Sequence, residues 1–507
     1  MARYTSTQIA AATKPSLINY VAAIFAATGS FLFGYDSGII SSVISPSYTH
    51  FHSYFNNPSD SIIGAIVAVF GGGAFVGSLI AGQTADWIGR KRTIQLGCVI
   101  AIVGCTLQTA AVNAAMLIVG RLIAGCSVGV LSMIVPVYQA EISPPHARGL
   151  LSGWTQMMIA WGFFAANWVG YGTGFINGNG QWRIPLGIQL VPAVLLLLGM
   201  FVLPYSPRWL AKQGRTDEAR STLVRLHGGS KNANLDIVDA EIQQMVEQIE
   251  WERDNLTTSY AELFNSKPNL HRTLCGMLVQ AMTQWTGCNV NNYYGTVIYT
   301  ALGYTDSKTL LINGIQGAWG VICTFVFITF IVDRIGRRWP LIIGGFMCGV
   351  AMAWEAGANA PFDKAKRAGE VYHSTGTGIA GIAAVFFFSL TFSFSFGPVS
   401  WIYQSEIFPM HMRALGTSVS AATNWLNNVI IGQITPIAFN KIGYKYFIVF
   451  AVCGLSNAII SYFLFPETKN KTLEEIGLLF GDTNVRVAPD QIDEENEKKA
   501  IEHVDRV

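Results

Sequence analysis

Asp36 and Arg121 are single charges set inside long apolar stretches. Opposite charges in such surroundings can form a permanent structural bridge. They can also pair only while the acid is ionised, which makes the acid a proton carrier. Amides offer a second chemistry. Gln156, Gln284, Asn289, Asn424 and Asn428 also lie within apolar stretches. Buried amides either bridge helices or bind the hydroxyls of a polyhydroxy solute, whose ring face suits an aromatic plate. A third set of residues is written twice. Asp86-Trp87-Ile88-Gly89-Arg90 returns as Asp333-Arg334-Ile335-Gly336-Arg337, and Glu141 to Arg148 returns as Glu406 to Arg413, matching at Glu, Ile, Pro, His and Arg. A carboxylate beside an arginine at a partly dry helix end accepts bidentate hydrogen bonds, so these phrases read as ion-pair latches. The plainer reading is basic residues that only set orientation, and it leaves Glu141 and Glu406 unexplained.

Membrane helices must position these groups. Of the 507 residues 51% are hydrophobic and 13% charged, against about 25% charged in soluble domains. No Asp, Glu, Lys or Arg falls in 61–85, 93–120, 149–182, 184–207, 273–305, 309–332, 371–405, 414–440 or 446–466. A bilayer core needs roughly 20 apolar helical residues, so twelve spans are predicted near 18–44, 61–85, 93–113, 115–140, 149–173, 183–204, 272–302, 308–332, 339–358, 377–406, 413–438 and 444–465. The doubled phrases divide them into two halves of one plan, as in carriers whose site lies between repeats. Arg90, Lys91, Arg92, Arg148, Arg208, Arg334, Arg337 and Arg413 follow even-numbered spans, which places those connections and both termini in the cytosol. At about 1.5 Å per residue Asp36 lies roughly 27 Å outward along span one, and Arg121 roughly 9 Å from the outer end of span four. The depths are compatible. Glu355, near the outer end of span nine, reads as a wetted rim residue.

Between spans six and seven, 206–271 is charged, and Leu235, Val238, Ile242, Met245 and Ile249 recur at helical spacing, which predicts short amphipathic helices. The acidic and basic tail after Glu467 has the composition of a disordered segment. The eight cysteines all fall in predicted spans without metal or disulfide spacing, so they read as packed or lipid-facing. A net charge of +2 argues against a nucleic-acid partner. No nucleophile–base pair, metal cluster or phosphate loop points to an enzyme.

Taken together, these phrases resemble the sugar porter family of the major facilitator superfamily, in its fungal monosaccharide-transporter form. The resemblance rests on Gly34-Tyr35-Asp36, the stretch 82–92, Gly120-Arg121, Pro136 to Gly149, and Ser206-Pro207-Arg208-Trp209. It continues through Gln284 to Asn289 with Tyr293-Tyr294, Asp333 to Arg338, Gly397-Pro398 to Arg413, and Pro466-Glu467-Thr468-Lys469. It covers nearly the whole chain. It implies two six-helix bundles, alternating access, and substrate contacts at Gln156, Gln284, Asn289, Asn424 and Asn428. It also implies stacking on Trp401 and gate pairs among Asp86, Arg90, Glu141, Arg148, Asp333, Arg337, Glu406 and Arg413. Three positions depart from the pattern. Thr283 stands where many relatives have a second Gln, Val321 where many have a mid-span Asn, and Tyr205 where an acid is usual. Two lost amides leave a pentose or linear polyol as plausible as glucose.

The resulting expectation is an all-α membrane protein. Residues 1–17 form a cytosolic tail, 18–205 one six-helix bundle, 206–271 a cytosolic helical linker, 272–465 the second bundle, and 466–507 a cytosolic tail. Its function would be monosaccharide transport at the plasma membrane with a proton, taken up at Asp36 against Arg121, as coupling ion and no other cofactor. Alternatives are a facilitative uniporter, a carrier of polyols or quinate-like solutes, and a nutrient sensor on the same fold. Its partners would be the sugar or polyol and the lipid bilayer.

Overall fold

The computed structural model describes residues 16–481 except 144–147, 228–233, 256–258, 305–306, 371, 373, 410, 470 and 472. Within helices, the side chains of 148–150, 152, 248, 251–255, 333 and 473–474 also lie outside that description. Residues 482–507 of the predicted tail 466–507 are outside it too.

Twelve long segments run in chain order, and the predicted boundaries hold to within a few residues for most. Span one is Leu17–Ala26 with Thr28–Val43, span two Asp60–Trp87, span three Arg90–Thr109, span four Ala114–Ile142, span five Arg148–Thr173, and span six Gly180–Ile188 with Leu190–Val202. Span seven is Lys267–Trp285 with Cys288–Ala301, span eight Ser307–Val326 extended to Ile335, span nine Arg338–Ala368, span ten Thr375–Ser393 with Phe396–Glu406, span eleven Arg413–Ile442, and span twelve Lys445–Leu464. By length and composition nine of these can cross a membrane, among the described residues. The other three, spans five, seven and eleven, are the ones that carry the candidate amides. Their polarity is what lowers their membrane signal.

Spans two and four, three and four, and one and five pack together in the first half, and spans nine and twelve, seven and eleven, and nine and ten in the second. The halves meet along span two with span eleven and span five with span eight, a symmetric pair of seams. Small residues permit the closest approaches. A methyl group on Gly34 would lie 2.1 Å from the Ile159 carbonyl oxygen, and one on Gly162 would lie 2.3 Å from the Phe31 carbonyl. Gly34→Ala should therefore cost at least the roughly 1–3 kcal/mol of an overpacked site. Thermal unfolding in detergent measures it, and a wild-type midpoint would mean that this seam yields freely.

Two spans break where the sequence demands it. Gly287 takes φ +91°, a left-handed turn open to glycine, and divides span seven beside Gln284 and Asn289. Pro398 lacks an amide proton and crowds the carbonyl four residues back, and span ten breaks at Phe394–Ser395. Between the halves, Pro207–Lys212, Thr216–Leu226 and Leu235–Asn255 pack around Trp209, Leu223, Val238 and Ile242. Met245 and Ile249 join that cluster as the spacing predicts, whereas Leu235 at the helix start is exposed. The end of the bundle bearing this linker is called the linker end below.

Candidate functional site

A cavity of about 120 Å³ opens between the two halves. At roughly 10–15 Å³ for each water it holds on the order of ten waters, room for one ring-sized solute. Gln156, Gln284, Asn289, Trp401 and Asn424 all line it. These residues come from spans five, seven, ten and eleven, brought together only by the packing of the halves. The span-seven break turns Asn289 back onto Gln284. The Asn289 amide donates to Gln284 Oε1, and Gln284 Nε2 donates to Asn424 Oδ1 at 2.8 Å. A chain of three amides therefore runs along one wall. Gln156 faces it across the cavity and makes no hydrogen bond among the described residues, so its amide is available to a ligand. Trp401 forms an apolar wall, with the Phe33 ring edge-on at 6.3 Å between centroids.

Asn428 lies apart from this lining, donating to the Tyr293 hydroxyl at 2.9 Å. Asn424 both lines the cavity and bridges helices. Three nearby aromatic residues pack rather than line. Trp425 is fully buried and donates to Ser132 Oγ at 3.2 Å, Trp285 donates to Asn427 at 2.7 Å, and Tyr294 donates to the Gly432 carbonyl at 2.7 Å.

Sequence reasoning missed part of the wall. Asn167, Asn292, Asn313, Gln316 and Ser389 also line the cavity. Asn167 and Asn313 exchange hydrogen bonds across the halves: Asn313 Nδ2 reaches Asn167 Oδ1 at 3.0 Å, and Asn167 Nδ2 reaches the Asn313 carbonyl at 3.2 Å. Gln316 accepts from the Tyr299 hydroxyl at 2.8 Å. Val321 indeed offers no amide and sits in an apolar cluster. Span eight nevertheless supplies two amides one and two turns earlier, so the expected loss of polarity is made good there. An apolar-run search for every Asn and Gln, without regard to family position, would have found them.

Asp36 and Arg121 are joined in an ion pair, both 1% exposed. The depth estimate from helix rise is met by this contact. Arg121 also donates to the backbone carbonyls of Ile66 at 3.2 Å and Asp36 at 3.3 Å, and lies 4.4 Å from the centre of the Phe70 ring. Asp36 Oδ2 is buried, with the Gln108 side chain beside the carboxyl group. The pair stands behind the cavity rather than in it, linked to it by Phe33 on the preceding turn of span one.

At the linker end the doubled phrases form two matching hubs. Arg90 binds Glu141 at 2.9 Å and Asp86 at 2.9 Å, joining the ends of spans two, three and four. Lys212 approaches Asp86 at 3.5 Å, and the Trp209 indole donates to the Asp86 carbonyl at 3.1 Å. Arg337 binds Glu406 at 3.0 Å, while Glu467 accepts from the backbone amides of Arg337 and Arg338 at 2.9 and 3.0 Å. Glu467, without an assigned role in the sequence reading, thus caps the start of span nine. Thr468 completes the hub by donating to Glu406 at 2.9 Å. Each hub braces helices of its own half. Asp86, Arg90 and Glu141 pair at neighbouring helix ends of the first half, and Arg337 with Glu406 at those of the second. Arg413 is buried and donates to the Phe408 carbonyl at 3.3 Å. The side chains of Arg148 and Asp333 lie outside the described residues. Glu355 corrects an expectation. It is completely buried and accepts from Asn291 at 2.9 Å, because span nine continues past the predicted end to Ala368.

The family model described as "Sugar (and other) transporter" matches residues 22–480. The MFS-type transporter criB of Aspergillus cristatus is 38% identical over 90% of this chain and 92% of its own. The high-affinity glucose transporter of Kluyveromyces lactis is 36% identical over 91% of this chain and 85% of its own. A solved structure of the proton:xylose symporter XylE bound to 6-bromo-6-deoxy-D-glucose superposes with a TM-score of 0.78 at 24% identity, covering 92% of this chain and 100% of that one. It shares the fold.

Proposed function

This chain belongs to the sugar transporter family, and on that premise we propose that it carries one hexose or pentose per cycle by alternating access, with a proton bound at Asp36. The observation that carries this reading is the cavity between the halves, with amides on facing walls and Trp401 beside them. Amides match the hydroxyls of a sugar and the indole its ring face. The volume accommodates a monosaccharide. A quinate-like acid would call for a cation at the wall, and among the described residues none lines it.

The bodies that rock are 18–205 and 272–465, joined by 206–271. Each hub keeps its bundle rigid at the linker end, and the basic residues gathered there support a reading in which that end and both termini face the cytosol of a plasma-membrane carrier. Protonation of Asp36 would loosen its bond to Arg121 and free span one to move. Phe33 would carry that motion to Trp401 and the substrate.

Uptake of radiolabelled sugars into proteoliposomes, with and without an imposed proton gradient, tests the proposal. Wild-type protein is expected to accumulate sugar against its gradient, whereas Asp36→Asn equilibrates it without accumulation. Equal accumulation by both proteins would remove Asp36 as the coupling acid, and equilibration by both would make the carrier a uniporter. Failure of any sugar or polyol to enter would overturn the substrate class.

A further inference from the structure

The transport cycle above leaves Glu355 without a task, although it is completely buried in span nine. One carboxyl oxygen accepts from Asn291 at 2.9 Å, and the other, Oε2, is buried and has no hydrogen-bond partner among the described residues. Spans seven, ten and twelve pack against span nine. None has an acid or base in 288–301, 375–405 or 446–464. Of the titratable groups on those helices, the Tyr299 hydroxyl on span seven lies close enough to interact with Glu355. Lys364 and Lys445 are exposed at the end of the bundle opposite the linker. A carboxyl group at this depth with no cation beside it is costly to keep ionised, and such residues inside spans mark proton or ion steps.

The internal repeat gives Glu355 a counterpart. It stands eighteen residues after Arg337, and Gln108 stands eighteen residues after Arg90. Gln108 is fully buried beside Asp36. In each half, then, the third helix sets a polar side chain against one on the first helix. The first half has the acid on span one and the amide on span three, and the second half has the amide on span seven and the acid on span nine. The halves differ in the cation. Arg121 lies twenty residues before Glu141, and the position twenty residues before Glu406 is Phe386. Asn291 also belongs to the half-helix Cys288–Ala301, whose Cys288, Asn289 and Asn292 line the cavity.

We propose that Glu355 and Asn291 form a second proton-binding site of this carrier, in the C-terminal half, whose occupancy sets the position of the half-helix bearing Asn289 and Asn292. The proton comes from water at the end opposite the linker, roughly 12 Å away along span nine at Asp363, and returns to it. Glu355 is a positioning residue here, acting on the solute through Asn291 and the half-helix. The inference rests on the carrier reading and not on the identity of the sugar.

Infrared difference spectra of the full-length protein in lipid vesicles, taken through a pH titration without sugar, test it. A carbonyl band of a buried carboxylic acid is expected, lost in Glu355→Gln, kept in Asp36→Asn, and shifted in Asn291→Ala, which removes the amide donor. Persistence of the band in Glu355→Gln, or an unshifted band in Asn291→Ala, would overturn the proposal. In transport, Glu355→Gln preserves the acceptor for Asn291 and is expected to lose one ionisation from the pH profile of turnover with KM changed less than about twofold. Asn291→Ala should lower turnover roughly three- to tenfold, the worth of one buried hydrogen bond. An unchanged pH profile in Glu355→Gln would reduce the group to a structural bridge. Because the spectra contain no sugar, a wrong substrate class would leave the band in place and fail only the uptake experiment.

Discussion

Arg121→Leu is expected to abolish transport and to destabilise the folded protein by about 3–5 kcal/mol, the cost of leaving one member of a buried ion pair alone. The loss should exceed that of Asp36→Asn, and the geometry gives the reason. With the acid neutralised, Arg121 still donates to the Ile66 and Asp36 carbonyls and still lies over the Phe70 ring. With the arginine removed, Asp36 keeps only the neutral Gln108 amide beside it and no countercharge. Thermal unfolding of both single variants and of Asp36→Asn/Arg121→Leu in detergent measures the difference. The double variant should recover part of the loss, because the stranded charge is gone. Equal losses in the two single variants would mean that the backbone and ring contacts of Arg121 contribute nothing, and the ion pair would then be the whole of the site.

Gln284→Ala is expected to raise the apparent KM by roughly ten- to hundredfold. Gln284 is the middle of the amide chain, accepting from Asn289 and donating to Asn424. Its truncation removes one solute-facing amide and strands two more, each worth about 1–3 kcal/mol when buried without a partner, with a tenfold change in affinity for about every 1.4 kcal/mol. Stability should fall less than affinity, since water entering the cavity can serve the stranded groups. Initial uptake rates over a range of sugar concentrations give the KM. A wild-type KM would place the solute elsewhere in the cavity and leave Gln284 as a bridge between spans seven and eleven.

Most of the fold was legible because the bilayer constrains it so heavily. Long stretches without charge can only be spans, and Gly89, Gly336 and Pro398 mark turns and a bend through backbone chemistry that does not depend on neighbours. The pairing of Asp36 with Arg121 was readable too, because helix rise converts sequence position into depth. The direction of side chains around a helix was less accessible. Asn424 and Asn428 are one turn apart on span eleven, yet the first faces the cavity and the second faces Tyr293. Asn167, Asn313 and Gln316 escaped notice because position within a span says nothing of which face meets the other half.

What the amino-acid order by itself determined is the transmembrane plan, its duplication, and the residues able to bear charge or bind hydroxyls. Those follow from the cost of exposing polar groups to hydrocarbon, a property of each residue alone. Only the tertiary structure decided who meets whom. It joined Arg90 to Glu141 and Arg337 to Glu406 at neighbouring helix ends, closed Glu355 away from water, and gathered amides from four spans around one cavity. Such choices turn on packing distances of an ångström or two between helices far apart in the chain, and no local pattern encodes them.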